Sequence, residues 1–118
     1  MSLLDPSVGD LVDRLSILKL KIQFGEEAQK SIGHFETERA AVLHRLNGVN
    51  LSTPEIDKLF FVNEAIWTTT DEMRTVCDAH DEPKQARFGR IILRLNDQRA
   101  ELIQTINRQH GDSRIEKL

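Results

Sequence analysis

The fold is decided by the stretch FGRIILRLNDQRAELIQTI, which occupies residues 88–106. Apolar residues recur in it at intervals of four and three, as they do along one face of an amphipathic helix; they are Phe88, Ile92, Leu95, Leu102 and Ile106. Arg99 stands on this face where a leucine is expected. A guanidinium keeps its charge in proteins and therefore needs acceptors nearby. The pattern predicts a packed helix with a polar cluster in its interface.

Outward from this stretch, apolar spacing predicts helices at about 7–24, 26–46, 54–77 and 84–110, followed by a polar tail at 112–118. Ser7 and Thr53 are suitable N-caps, Pro54 suits a first turn, and Gly25 suits a C-cap. No segment alternates at period two for long enough to form a sheet. The sequence therefore predicts an all-α, antiparallel bundle of four helices in a single domain, residues 1–118.

Composition excludes several classes of function. The net charge is −3, basic residues form no run, and the aromatic residues are five Phe and one Trp, so nucleic acid is not an expected partner. No apolar run approaches the roughly 20 residues of a membrane-spanning helix, so no membrane association is expected. Cys77 is the single cysteine and no signal peptide is recognisable, which predicts a cytoplasmic protein.

The connection at residues 78–83 is short, so the third and fourth helices are expected to pack antiparallel. Arg99 would then lie level with Ile66 and Trp67. The polar cluster predicted between these helices comprises Asn63, Trp67, Asp71, Arg74, Asn96 and Arg99.

Several acidic residues are candidate partners for Arg99. Asp71 and Glu64 are within reach of it along the third helix, and Asp13 and Arg14 of the first helix are further candidates for the cluster. Asp71 is also placed to pair with Arg74 through an i,i+3 contact.

Two interpretations of the cluster remain open. In the first it is a structural network that fixes helix register, so that Arg99→Leu is tolerated and Arg99→Ala costs about 3–5 kcal/mol. In the second it is a pocket in which Arg74 and Arg99 hold a carboxylate or phosphate. Asn63 and Asn96 would then bind hydroxyl groups above an apolar floor formed by Trp67.

Catalytic, metal and cofactor motifs are not recognisable in the sequence. The four histidines lack the spacing of a zinc or di-iron site; they are His34, His44, His80 and His110. No glycine-rich phosphate loop or Ser/His/Asp pattern is present. We therefore expect no metal, no cofactor and no catalytic residue, with an enzyme acting through Arg74 and Arg99 as the alternative.

A second apolar strip on the first helix predicts self-association. Ile17, Leu20 and Phe24 lie opposite the main apolar face of that helix at 100° per residue. A helix that is apolar on two sides is central in a bundle or covered by a second subunit. The strip therefore predicts a homodimer, with a protein partner as a further expectation.

Three motifs together resemble a known family. They are SVGDLVDRLSIL at 7–18, NExxWxxxDxxR at 63–74 and LNDxRA at 95–100. They are similar to a bacterial family of short all-helical proteins of unknown function, loosely associated with lipopolysaccharide and surface-polysaccharide biosynthesis. The tail lacks the aromatic residue expected of that family. The resemblance implies a family signature made of Asp13, Arg14, Asn63, Glu64, Trp67, Asp71, Arg74, Asn96, Asp97 and Arg99.

The expected function follows from the predicted polar cluster and from the family resemblance. We expect a helical interaction or accessory protein with a structural polar network, linked to cell-surface polysaccharide biosynthesis by the resemblance alone. The alternative is a binder, or an enzyme, of an anionic or sugar-phosphate small molecule that uses Arg74 and Arg99.

Overall fold

The structure, a computed structural model, describes residues 5–25 and 28–111. Its helices are α1 (Val8–Phe24), α2 (Ala28–Arg45), α3 (Pro54–Asp78) and α4 (Glu82–Gln109), and the described residues contain no strand. The predicted all-α fold of four helices is thereby confirmed. The predicted start of the second helix at 26–27 and the polar tail at 112–118 lie outside the described residues.

Short local signals set the helix ends. The Ser7 hydroxyl accepts a hydrogen bond from the Asp10 N–H at 3.1 Å, and the Gly25 N–H donates to the Lys21 carbonyl. At the start of α3, Thr53 Oγ1 accepts from the Ile56 N–H at 3.4 Å. These contacts satisfy backbone groups that a helix leaves unpaired at its ends, so the sequence predicted these three boundaries closely.

The connection between α3 and α4 is shorter than the sequence indicated. Residues 78–83 were expected to form a loop, but α4 begins at Glu82. The reason is that Asp81 is the N-cap, with Oδ1 accepting from the Lys84 N–H at 3.2 Å. Pro83 then lies in the first turn, where its missing N–H costs nothing. His80 reverses the chain with a φ of 57°. The helix ends move by only one and two residues, so the levels of α3 against α4 are almost those that the predicted loop implies.

The buried core lies at one end of the molecule. It joins α1 and the end of α2 to the first half of α3 and the last turns of α4. Its buried members are Leu11, Val12, Leu15, Leu18, Val42, Leu46, Ile56, Leu59 and Ile106. α1 packs against each of the other three helices, and α3 and α4 form the most extensive pair. The core therefore fixes α1 across the base of an α3–α4 hairpin.

The far half of the hairpin is thinly covered. The buried residues of α3 end at Asn63, and those of α4 are Ile106 and Asn107. Cys77 is exposed, although its position on the apolar face of α3 suggested packing. Helical spacing predicts which face is apolar, but whether another element covers that face depends on the tertiary arrangement.

Candidate functional site

Asp13 is the centre of the polar cluster. Its carboxylate accepts two hydrogen bonds from Arg99, Nε to Oδ1 at 2.8 Å and Nη2 to Oδ2 at 2.5 Å. The Asp13 residue is only 8% exposed. This two-pronged geometry is the strongest form of an ion pair between arginine and a carboxylate. Asp13, an additional candidate in the sequence, is thus the partner of Arg99, and Asp71 and Glu64 are not.

Asn63 joins the third helix to the same carboxylate. Its Nδ2 lies 2.9 Å from Asp13 Oδ1 and 3.2 Å from the Ser16 hydroxyl oxygen. Both Asn63 and Ser16 are buried. Residues from α1, α3 and α4 therefore meet in one hydrogen-bonded set, which we call the Asp13 cluster: Asp13, Ser16, Asn63 and Arg99.

Arg99 is held charged within this cluster. The hydrogen bonds that Arg99 donates to Asp13 raise the pKa of the guanidinium, and burial opposes that shift less strongly. The Arg99 side chain keeps 31% of its surface exposed. Its third nitrogen, Nη1, has no hydrogen-bond partner among the described residues. The cluster is therefore closed on the Asp13 side and open on one side of Arg99.

A cavity of about 230 Å³ adjoins the open side, between α1 and α3. It is lined by Ile17, Leu20, Asn63, Ile66, Trp67, Thr70, Asp71, Arg74 and Arg99. Five of the six residues predicted for the ligand site thus line one cavity. Its walls are mainly apolar side chains of α1 and α3.

Arg74 and Asp71 pair with each other and not with Arg99. Arg74 Nη1 lies 3.3 Å from Asp71 Oδ1, and both side chains are more than half exposed. This is the i,i+3 pair that the sequence offered as one option. Each arginine of the predicted anion site therefore already has a carboxylate partner.

Asn96, the sixth predicted residue, is exposed and does not line this cavity. The prediction for Asn96 is wrong because α4 was placed at the wrong height along α3. Phe61 and Val62 line one groove together with Gln98 and Leu102. Arg99 is therefore level with the Val62 region of α3, about one turn earlier than Ile66 and Trp67. The predicted helix ends already imply this level, because Val62 and Arg99 lie equally far from residues 77 and 84.

The second apolar strip of α1 faces the cavity. Ile17 and Leu20 line it, Leu20 is buried, and Phe24 is about half exposed. The strip is thus largely covered by α3 and does not provide the exposed apolar surface on which the predicted homodimer was based.

Sequence reasoning missed Ser16 and also a second polar contact between α1 and α4. Asn107 Oδ1 accepts a hydrogen bond from the Gly9 N–H at 2.6 Å, and Asn107 is almost fully buried. The signal for Ser16 was its place one turn after Asp13 on the same helix. Asn107 gave no signal because it lies off the apolar face of α4.

Metal and membrane motifs are not found in the described part of the chain. Within residues 5–25 and 28–111, no group of three or more His, Cys, Asp or Glu side chains is close enough to bind a metal ion. None of the described helices is long and apolar enough to span a membrane.

Comparison with known proteins adds no relative. No family model, no curated protein and no solved structure matches the chain. The family resemblance therefore rests on the quoted sequence motifs alone.

Proposed function

We propose that this protein is a non-enzymatic interaction protein that docks through one face of the α3–α4 hairpin. We call this the hairpin face. It consists of Lys58, Phe61, Thr68 and Glu72 on α3, and Arg87, Ile91, Arg94, Gln98 and Glu101 on α4. Asp13 and Gly9 of α1 contact Arg99 and Asn107, which lie on the other side of α4 at 100° per residue. The hairpin face is thus turned away from α1.

The observation that carries the proposal is the exposure of Phe61. This side chain is 74% exposed, in a groove that it shares with Val62 and Leu102. Ile91, further along the same face, is 37% exposed. An exposed phenylalanine at the edge of a groove with an apolar floor is the kind of surface that a partner covers.

The Asp13 cluster supports a structural role and argues against acid–base catalysis. The carboxylate accepts three hydrogen bonds, from two nitrogens of Arg99 and from Asn63. A general acid or base needs a carboxylate that can reach the proton of a substrate. Asp13 instead ties three helices together beneath the hairpin.

Photo-cross-linking tests the proposal. Benzoylphenylalanine introduced at Phe61 is expected to give discrete cross-linked adducts in cells that produce the protein. The same residue introduced at Leu43, which is 41% exposed on α2, is the matched control and should give none. Equal labelling at the two positions, or no adduct from position 61, would remove the basis for a docking face.

The link to surface-polysaccharide biosynthesis is part of the proposal on the strength of the family resemblance only. If the link is correct, the adducts from position 61 should include an enzyme of that pathway or disappear in cells that lack it. Adducts made solely with unrelated proteins would count against it.

A second candidate function is supported by the cavity between α1 and α3. Arg99 and Arg74 both line it, together with Trp67. At about 230 Å³ it is smaller than ordinary ligand pockets of roughly 300–1,000 Å³. It therefore fits an inorganic anion or the phosphate group of a simple sugar phosphate better than an enclosed nucleotide sugar.

Fluorescence of Trp67 checks this candidate directly, because Trp67 is the only tryptophan and lines the cavity. A sugar phosphate that binds there should change the emission and raise the melting temperature in a saturable way. Arg74→Gln should weaken the response, whereas Arg108→Gln, remote in sequence at the far end of α4, should not. An emission spectrum that does not respond to millimolar ligand would exclude the pocket.

A further inference from the structure

We infer that the occupant of the hairpin face is a second copy of this chain, related by a two-fold axis that runs along the hairpin. The inference rests on the proposed docking function of that face and adds the identity of the partner. It names a surface different from the Ile17, Leu20 and Phe24 strip, which is largely covered within the chain.

The hairpin face has a self-complementary pattern of charge. Lys58 and Glu101 line the same groove and are therefore level with each other, near the base. Near the tip, Gln85 Nε2 donates to the Val76 carbonyl at 3.4 Å, which places Glu72 and Arg87 at similar levels. Asp57 also lines this groove, beside Lys58. Apart from Asp57, α3 carries a positive charge at the base of the face and a negative charge at the tip, and α4 carries them in the opposite order.

Lys58, at the base of this face, interacts with the carboxylate of Glu55. Glu72, Arg87, Arg94 and Glu101 form no ion pair among residues 5–25 and 28–111. A partner of one charge sign would meet repulsion at half of these positions. A second copy supplies the opposite charge at Glu72, Arg87 and Glu101, as an isologous interface requires.

Arg94 selects the direction of packing. Two-fold symmetry along the hairpin sets α3 of one copy against α4 of the partner at the same level, which pairs Glu72 with the partner's Arg87. The other two-fold arrangement sets α4 against α4 in opposite directions, and Arg94, near the middle of the face, would meet the partner's Arg94. In the chosen arrangement Arg94 meets the small residues near Thr68.

The face has the size of a small, weak dimer interface. Between Lys58 and Glu72 it extends about 21 Å at 1.5 Å per residue, and two helices side by side are about 20 Å wide. This footprint of roughly 400 Å², corrugated by side chains, approaches the lower end of specific interfaces, which bury about 600–1,000 Å² per partner. Phe61 lies within this footprint, so the two-fold axis places one apolar anchor from each copy in the interface.

Light scattering after size exclusion, followed by sedimentation across a micromolar concentration range, tests the inference. The wild-type chain should be dimeric. Phe61→Glu should raise the dissociation constant about 100-fold or more, and Leu43→Glu on α2 should leave it unchanged. Circular dichroism and melting temperature in the dissociated form should match among all three. A monomeric wild type, or a Phe61→Glu dimer of normal affinity, would overturn the inference.

Charge exchange tests the direction. Glu72→Arg and Arg87→Glu should each weaken association about tenfold or more, and the double variant should regain most of the affinity, because the pair is restored in reversed order. If the double variant associates no more tightly than the single variants, the parallel arrangement is wrong. If the chain is monomeric and position 61 cross-links only to other proteins, the dimer inference is wrong and the proposed docking function stands. If position 61 cross-links to nothing, the docking function itself is wrong.

Discussion

Asp13→Ala is expected to lower the free energy of unfolding by about 3 kcal/mol. The substitution leaves the Arg99 guanidinium and the Asn63 amide without their shared acceptor, and breaking one partner of a buried ion pair costs about 3–5 kcal/mol. Arg99 is 31% exposed and recovers some hydration, which places the loss at the lower end of that range. Chemical denaturation of the two proteins measures it.

Arg99→Leu is expected to be nearly as costly, at about 3 kcal/mol. From the sequence alone, leucine at this position of an apolar face should be tolerated if the network is structural. The structure changes that expectation, because Asp13 is 8% exposed and would remain as a buried carboxylate held only by Asn63. The substitution fits the shape of the site and leaves its charge uncompensated.

A double-mutant cycle on Asp13 and Arg99 separates the pair from its surroundings. The coupling energy should be about 2 kcal/mol or more, since the double variant Asp13→Ala/Arg99→Ala leaves no unpaired charge. The same cycle on Asp71 and Arg74, whose side chains are more than half exposed, is the control and should give less than about 1 kcal/mol. Additive losses at Asp13 and Arg99 would show that they do not act as a pair.

The elements of this fold were predictable because their signals are local. Ser7, Thr53 and Gly25 form hydrogen bonds with backbone groups within four residues of themselves. A short stretch of sequence therefore identifies both the cap and the helix boundary. The apolar period of α4 likewise identified the face that packs and placed Arg99 on it. These features depend on neighbouring residues and on helix geometry alone.

The partner of Arg99 was not predictable in the same way. Its level against α3 is fixed by the turn at residues 79–81, and it was predicted about one helical turn too far along α3. Its contact with Asp13 depends on where α1 crosses, which the periodicity of a single helix does not contain. For that reason five of the six predicted residues line one cavity, yet the carboxylate that holds Arg99 comes from α1.

The crossing of α1 over α4 depends on Gly9, and Gly9→Ala is expected to destabilise the protein by about 3 kcal/mol. A Cβ at this position would lie 2.5 Å from the Ile103 carbonyl oxygen and 2.8 Å from Asn107 Oδ1. A backbone oxygen cannot move aside unless α4 shifts, and overpacking of this kind costs about 1–3 kcal/mol. The shift would also break the 2.6 Å hydrogen bond from the Gly9 N–H to Asn107.

Asn107 increases the expected cost at Gly9. It is almost fully buried, and its Nδ2 already has no partner among the described residues. If Gly9 moves away, the side-chain oxygen becomes a second unsatisfied buried atom, which costs about 1–3 kcal/mol. The higher helix propensity of alanine returns at most about 1 kcal/mol and does not offset these losses.

Gly89→Ala is the matched control and should have the opposite sign. Gly89 lies inside α4 with nothing within 4 Å of an added Cβ, so only the propensity gain of up to about 1 kcal/mol applies. Thermal and chemical unfolding of both variants compares them directly. A neutral or stabilising Gly9→Ala would mean that α1 and α4 do not approach this closely. Because Asp13 follows Gly9 by one helical turn, that result would also remove the geometry that brings Asp13 to Arg99.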